Sequence, residues 1–284
     1  MTPAILPDPV HPGHRISGHR ISGPGSPDPS SLDPGEKRSP GARSGANVPR
    51  VTARLHALTQ DVRDPGLVAA FWGQLLGRGP VPDGDALLLP GTPTQVGLRF
   101  GPGGPAAGAD DNRIHLHVTS ETEAGQRHTV QRALDLGGSH LDVGQLPEER
   151  HIVLADPEGN PFCVIEAGNN FLAGCGVLGE LACDGTRDVG LFWAAALDWP
   201  LVWDQNEETA VQAPEGGTKV AWGGPPVLPQ RGQNIQRFDL RVEGDLGPEI
   251  DRLVALGASV CGEPGPDAAE LADPDGNEFV LTRA

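Results

Sequence analysis

No apolar run in the sequence approaches eighteen residues, so no segment is long enough to cross a bilayer as a helix. The four cysteines, Cys163, Cys175, Cys183 and Cys261, show no C-x-x-C spacing, which removes zinc knuckles and dithiol redox pairs. Reduced thiols in a cytoplasmic protein are the expectation. Basic residues are scarce: 21 Lys and Arg stand against 38 Asp and Glu, a formal charge of −17 over 284 residues. Phosphate binding needs a basic face, which argues against nucleic acid and anionic membranes as partners. An acidic surface chiefly confers solubility, and it also suits a cationic small ligand. The first fifty residues lack aromatics, are dominated by Pro, Gly and Ser, and carry HRISG twice, at 14–18 and 19–23. They hold too little to bury against the entropy of ordering, and no apolar stretch suited to a secretory signal. Residues 1–50 therefore read as a disordered tail.

The remainder contains a repeat. LVAAFWGQLLGRGPV (67–81) aligns with VGLFWAAALDWPLV (189–202), pairing Phe71 with Phe192 and Trp72 with Trp193. LADPEGNPFCVI (154–165) aligns with LADPDGNEFVLT (271–282), and LDLGGS (134–139) with LVALGAS (253–259) between them. The match is collinear, dividing the chain near residue 172 into an N-terminal domain, 51–171, and a C-terminal domain, 172–284.

Each half reads as two similar pieces. Asp64-Pro65 is a helix start, Leu67, Val68, Phe71, Trp72, Leu75 and Leu76 repeat at helical spacing, and Gly77 stops the run. Strands are expected at 54–62, 86–89 and 94–100. A second piece comes next: strand 113–119, a helix opened by a Ser120/Glu123 capping box, and strands 151–155 and 162–166 turning on DPEGN. The second half repeats this with helices at 186–198 and 248–256, strands near 209–222 and at 235–242, and a hairpin on DPDGN. Trp72 and Trp193 fit a helix core face; Trp199, Trp203 and Trp222 suit loop packing or stacking on an aromatic ligand. The glycine-rich 101–112 has no following helix to cradle phosphate and reads as a linker.

The D-P-x-x-x-x-x-F-W helix start, the N-R-x-H-L strand at 112–116 and the duplicated D-P-[ED]-G-N-x-F ending resemble the vicinal-oxygen-chelate superfamily, of glyoxalase, bleomycin-resistance and dioxygenase type. The nearest likeness is to its glyoxalase-like domain branch, over residues 51–284. The resemblance implies an α+β fold of two tandem domains, each a pair of βαβββ modules forming a cup-shaped sheet backed by helices.

Strand alternation then assigns the cup wall. Leu55, Ala57, Val96, Leu98, Phe100, Ile114, Leu116, Val118, Phe162 and Val164 should pack inward. His56, Leu58, Gln60, Gln95, Arg99, His115, His117, Thr119, Cys163 and Ile165 should face the cavity. In metal-using relatives one ligand comes from the first strand of each module and another from its last. The resemblance thus implies His56, His115 and Cys163 as metal ligands, with Gln60, Gln95, Arg99, His117 and Thr119 binding the small molecule. This chain departs from the pattern in placing Cys163 where the family carries a glutamate; Glu166 falls on the opposite face. Two histidines and a cysteine can still hold Zn²⁺, and the cofactor is one divalent metal (Zn, Fe, Mn or Ni) or none. In the second half Arg237, Asp239 and Val280 take the positions of His115, His117 and Cys163, so that half should complete the fold, with Arg237–Asp239 an ion pair or a polar pocket.

Three functions stay open on this reading. One is metal-dependent lyase, isomerase or dioxygenase-type chemistry on a small molecule in the N-terminal cup. Another is metal-free sequestration of a small molecule, as by bleomycin-resistance proteins, and the third is a non-catalytic scaffold. The expected assembly is a monomer with an internal pseudo-dimer, or a homodimer.

Overall fold

The computed structural model describes residues 53–104, 112–227 and 234–284. The tail reading of 1–50 and most of the linker reading of 101–112 lie outside these residues. Four βαβββ modules succeed one another. The first comprises β1 (Ala53–Val62), α1 (Pro65–Leu76), β2 (Val81–Asp83), β3 (Ala86–Leu89) and β4 (Gly97–Pro102). In the second are β5 (Ile114–Val118), α2 (Glu123–Asp135), β6 (Ser139–His140), β7 (Ile152–Ala155) and β8 (Pro161–Val164). The third runs β9 (Leu178–Cys183), α3 (Arg187–Leu197), β10 (Leu201–Gln205), β11 (Glu208–Gln212) and β12 (Lys219–Trp222). The fourth has β13 (Gln236–Val242), α4 (Leu246–Leu256), β14 (Ser259–Cys261), β15 (Ala268–Ala272) and β16 (Glu278–Arg283).

Local chemistry accounts for the helix ends. The Asp64 carboxylate accepts the Leu67 amide, Pro65 opens α1, and Gly77 closes it in the left-handed conformation at φ 70°. Helix α2 is capped by Thr122, whose hydroxyl accepts from the Gly125 amide at 3.0 Å, rather than by the expected Ser120. Thr122 is the residue immediately before the helix, so its oxygen alone is placed to meet that donor.

The duplicated D-P-[ED]-G-N motif is architectural. Asp156 is buried and accepts the amides of Glu158 and Asn160 at 2.9 and 3.0 Å, and the Trp72 indole N–H at 3.4 Å. Asp273 does the same for Asp275, Asn277 and the Trp193 indole. The next acid of each motif reaches the chain entering the helix of the preceding module. Glu158 accepts from the Arg63 and Asp64 amides, and Asp275 from the Thr186 amide and hydroxyl. Within each half, then, the motif ties the last hairpin to the start of the F-W helix.

The strands form two eight-stranded sheets, ordered β14-β15-β16-β13-β1-β4-β3-β2 and β10-β11-β12-β9-β5-β8-β7-β6. Each sheet therefore joins a module from one half to a module from the other. The first and fourth modules meet at the antiparallel β1·β13 seam, and the second and third at β5·β9. This corrects the expectation that the two modules of a half share a cup. The reason lies in the apolar faces. Trp72 of the first module packs edge-on against Phe162 of the second, with centroids 4.9 Å apart, and Trp193 of the third sits 5.0 Å from both Phe238 and Phe279 of the fourth. Modules of one half thus meet through their helix-backed sides, and each first strand completes its hydrogen bonds with a strand from the other half.

Candidate functional site

The two sheets have unlike concave faces. In the first, strand β1 carries an irregularity between Leu55 and Ala57. One extra residue there reverses the inward–outward order of the rest of the strand. Leu58 joins the apolar core and Thr59 and Asp61 turn to the concave side, where Thr59 donates its hydroxyl hydrogen to Asp239 and Asp61 pairs with Arg237. Gln60 shares the side of Leu58, not the cup; it is 4 % exposed and its Nε2 has no hydrogen-bond partner among the described residues.

This first cup is a cavity of about 600 Å³ lined by Asp61, Asp83, Arg99, Arg237, Asp239, Arg241, Glu270, Glu278, Val280 and Thr282 among others. Two of its guanidiniums are neutralised: Arg99 by Asp83 at 2.7 Å, and Arg237 by Asp61 at 2.7 and 3.2 Å. Arg237 thus pairs with Asp61 rather than Asp239. Among the described residues Arg241, Asp239, Glu270 and Glu278 make no ion pair. The register sets Glu270, Val280 and Asp239 in one row across β15, β16 and β13, with Arg241 two residues beyond Asp239 on the same face. Burial pushes the Asp239 carboxyl up, against the hydrogen bond from Thr59 and the nearby Arg99 and Arg237. His56, at the irregularity in β1, is pushed down by burial and by Arg241, and its Nε2 has no hydrogen-bond partner among the described residues.

The second cup is filled by its own chain. The segment between β8 and β9 inserts Leu172 and Cys175, both buried, into a cluster with Val153, Cys163 and Ile165, separate from the main core. Lys219 donates to the Phe171 carbonyl and sits 4.0 Å from the centre of the Phe171 ring, and Thr119 donates to the Gly176 carbonyl at 2.6 Å. Beneath this plug, Cys163, His117, Glu180 and Lys219 are register partners across β8, β5, β9 and β12. His117 Nδ1 is 2.6 Å from a Glu180 oxygen. Burial opposes charge on His117, but the Cys163 sulfur and the Glu180 carboxylate outweigh it and push the pKa up to about 10.

The residues assigned from sequence are therefore dispersed. His56 belongs to the first sheet, while His115 and Cys163 belong to the second, so the implied metal set does not assemble. Among the described residues, no group of three His, Cys, Asp or Glu converges to hold a metal ion. In the second cup the donors are committed to one another, with the Lys219 ammonium occupying the fourth position of the row. The residues do not fit the divalent metal that the resemblance implies. Of the expected ligand-binding set, Arg99 lines the open cup. His117 lies in the filled one, and Thr119 anchors the plug. Gln95 precedes β4 instead of lying within it, and is a structural tie. Its Nε2 donates to the carbonyls of Cys175 and Leu178 at 2.7 and 3.2 Å, and its Oε1 accepts the Leu178 amide at 3.0 Å. Arg241 and Glu270 were missed. Period-two alternation in 235–242 places Arg241 with Arg237 and Asp239, and that signal was available.

The model of the glyoxalase-like domain family matches residues 57–165 and 180–282. Among solved structures, glyoxalase I from Zea mays superposes with a TM-score of 0.60 at 15 % identity, covering 82 % of this chain and 92 % of that one. A putative dioxygenase from Bacillus subtilis gives 0.54 at 15 % identity, over 83 % of this chain and 86 % of that one. At such identities the likeness is one of fold. No curated protein matches the chain.

Proposed function

The chain belongs to the glyoxalase-like domain family, and from that premise we propose that it binds one small polar molecule per chain in the cup between its first and fourth modules, without a metal. The observation that carries this reading is the inequality of the cups. One is filled by Leu172 and Cys175, whereas the other is an open cavity of about 600 Å³, within the range of small-molecule sites. Five carboxylates against three guanidiniums line it, and among the described residues the groups outside ion pairs are Asp239, Glu270, Glu278 and Arg241. That set suits a molecule with a cationic group over the Asp239–Val280–Glu270 row and an acceptor oxygen toward Arg241. With its raised pKa, Asp239 is also the group in this cup equipped to take or give a proton.

A thermal-shift panel of small amines, amino acids and amino sugars tests the reading on the full chain. A ligand at about a hundred times its Kd adds roughly 2.7 kcal/mol to stability. We expect stabilisation by members carrying both an ammonium and an acceptor oxygen, lost in Asp239→Asn and Arg241→Ala and retained with EDTA present. Stabilisation that vanishes with EDTA, or that survives both substitutions, places the ligand elsewhere.

A further inference from the structure

The filled cup contains chemistry that ligand binding in the other cup does not use. Glu180, His117 and Cys163 stand side by side on β9, β5 and β8, facing the same side of the sheet. The Glu180 carboxylate holds His117 through Nδ1 at 2.6 Å, and the side chains are 3 % and 5 % exposed. On its other side His117 has Cys163 as its register partner on β8, a residue 1 % exposed. A carboxylate that orients an imidazole, which in turn faces a thiol, is the arrangement that activates a sulfur nucleophile.

We infer that Cys163 is a modification site for small uncharged peroxides, activated by the His117–Glu180 pair. In the step, sulfur attacks one peroxide oxygen, and the S–O bond forms as the O–O bond breaks. The charged His117 ring gives a proton to the departing hydroxide, which leaves as water, and takes up the thiol proton in its place. Sulfur is oxidised by two electrons to the sulfenic acid and the peroxide is reduced. The surroundings select the reagent: Leu172 and Cys175 cover the site, and burial disfavours a charged oxidant. Access comes from the plug, a segment between β8 and β9 without helix or strand, in which Gly168, Gly174 and Gly176 all adopt positive φ. Such a segment opens locally at less cost than the sheet beneath it.

The protein carries its own control. Cys175 lies in the same cluster under the same plug, but its sulfur has the Gln212 amide as neighbour, at 3.6 Å, and no imidazole. Burial pushes its thiol up. The full chain is treated with hydrogen peroxide and a cyclic 1,3-dione that traps sulfenic acid, and labelling is followed at each cysteine by peptide mass spectrometry. Cys163 should label at least about tenfold faster than Cys175, the lower end of what an oriented acid–base partner contributes being larger still. The ratio should fall toward one in Glu180→Gln and in His117→Gln. Equal rates at Cys163 and Cys175 in the unaltered protein overturn the inference, whether or not either variant folds. So does a ratio that both variants leave unchanged.

Discussion

Replacing Asp156 by alanine probes the duplicated motif at the point where most of its hydrogen bonds converge. Asp156 is 2 % exposed. One oxygen accepts the Glu158 amide at 2.9 Å and the Asn160 amide at 3.0 Å; the other accepts the Trp72 indole at 3.4 Å and the Asn160 side-chain amide at 2.9 Å. Alanine strands these donors where water has little access. Each buried unpaired donor costs about 1–3 kcal/mol. The penalties overlap, because one relaxing turn can satisfy more than one donor, and removing the carboxylate also relieves its own desolvation, visible in its raised pKa. The expected net loss is about 3–4 kcal/mol, a large share of the total stability of an ordinary domain. Asparagine keeps one acceptor oxygen for the two backbone amides but points an NH₂ at the indole N–H, so it should cost about half as much. Urea unfolding at pH 7, followed by tryptophan fluorescence, measures both. Asp273→Ala provides a replicate within the molecule, since Asp273 makes the same bonds to Trp193, Asp275 and Asn277. If Asp156→Ala and Asp273→Ala each cost under about 0.5 kcal/mol, the level of an ordinary surface change, the motif is a turn and nothing more.

The exchanged sheets and the buried row set two further outcomes. Expressed alone, residues 51–171 and 172–284 should each lack a cooperative unfolding transition as a monomer, whereas together they should assemble one to one, because every sheet draws strands from both; light scattering and urea melts of each half check this, and a folded monomer of 51–171 refutes it. The second concerns pH: His117 has a folded pKa pushed up to about 10 from 6.5, so the folded state holds the proton more tightly than the unfolded chain does. Its contribution is complete below about pH 6.5 and fades as pH rises through about 10. The stability gap between the parent and His117→Gln should therefore narrow between pH 6 and pH 10 in urea melts, and a constant gap refutes the charged imidazole.

Much of the architecture could be read from residues that act locally. The helix start at Asp64-Pro65, the buried Trp72 and Trp193, and the hairpins on DPEGN and DPDGN depend on neighbours within a few positions or on simple periodicity. The partner of a first strand does not. β1 and β5 have the same apolar pattern whether they pair with each other or with β13 and β9, since both arrangements bury the same faces. What decides is the packing of Trp72 on Phe162 and of Trp193 on Phe238 and Phe279, which turns the modules of each half back to back. That choice is made between residues far apart in the chain, and strand alternation carries no information about it.

The candidate site was displaced by a smaller event with the same character. Alternation assigns a side chain to a face only while the strand keeps its register, and β1 loses one step between Leu55 and Ala57. Past that step, every assignment in the strand is inverted: Leu58 and Gln60 go to the helix side, and Thr59 and Asp61 come to the cup. A single extra residue thereby replaces an apolar–amide pair with a hydroxyl and a carboxylate, and these hold Asp239 and Arg237 in place. No bulge formed in 235–242, where the alternating burial runs unbroken, and there the alternation rule places Arg237, Asp239 and Arg241 on the cavity side as observed. The rule holds along the whole of β13. It failed in β1 because a backbone irregularity of one residue leaves no mark on composition or hydropathy, yet moves the polar chemistry of a whole strand from one face of the sheet to the other.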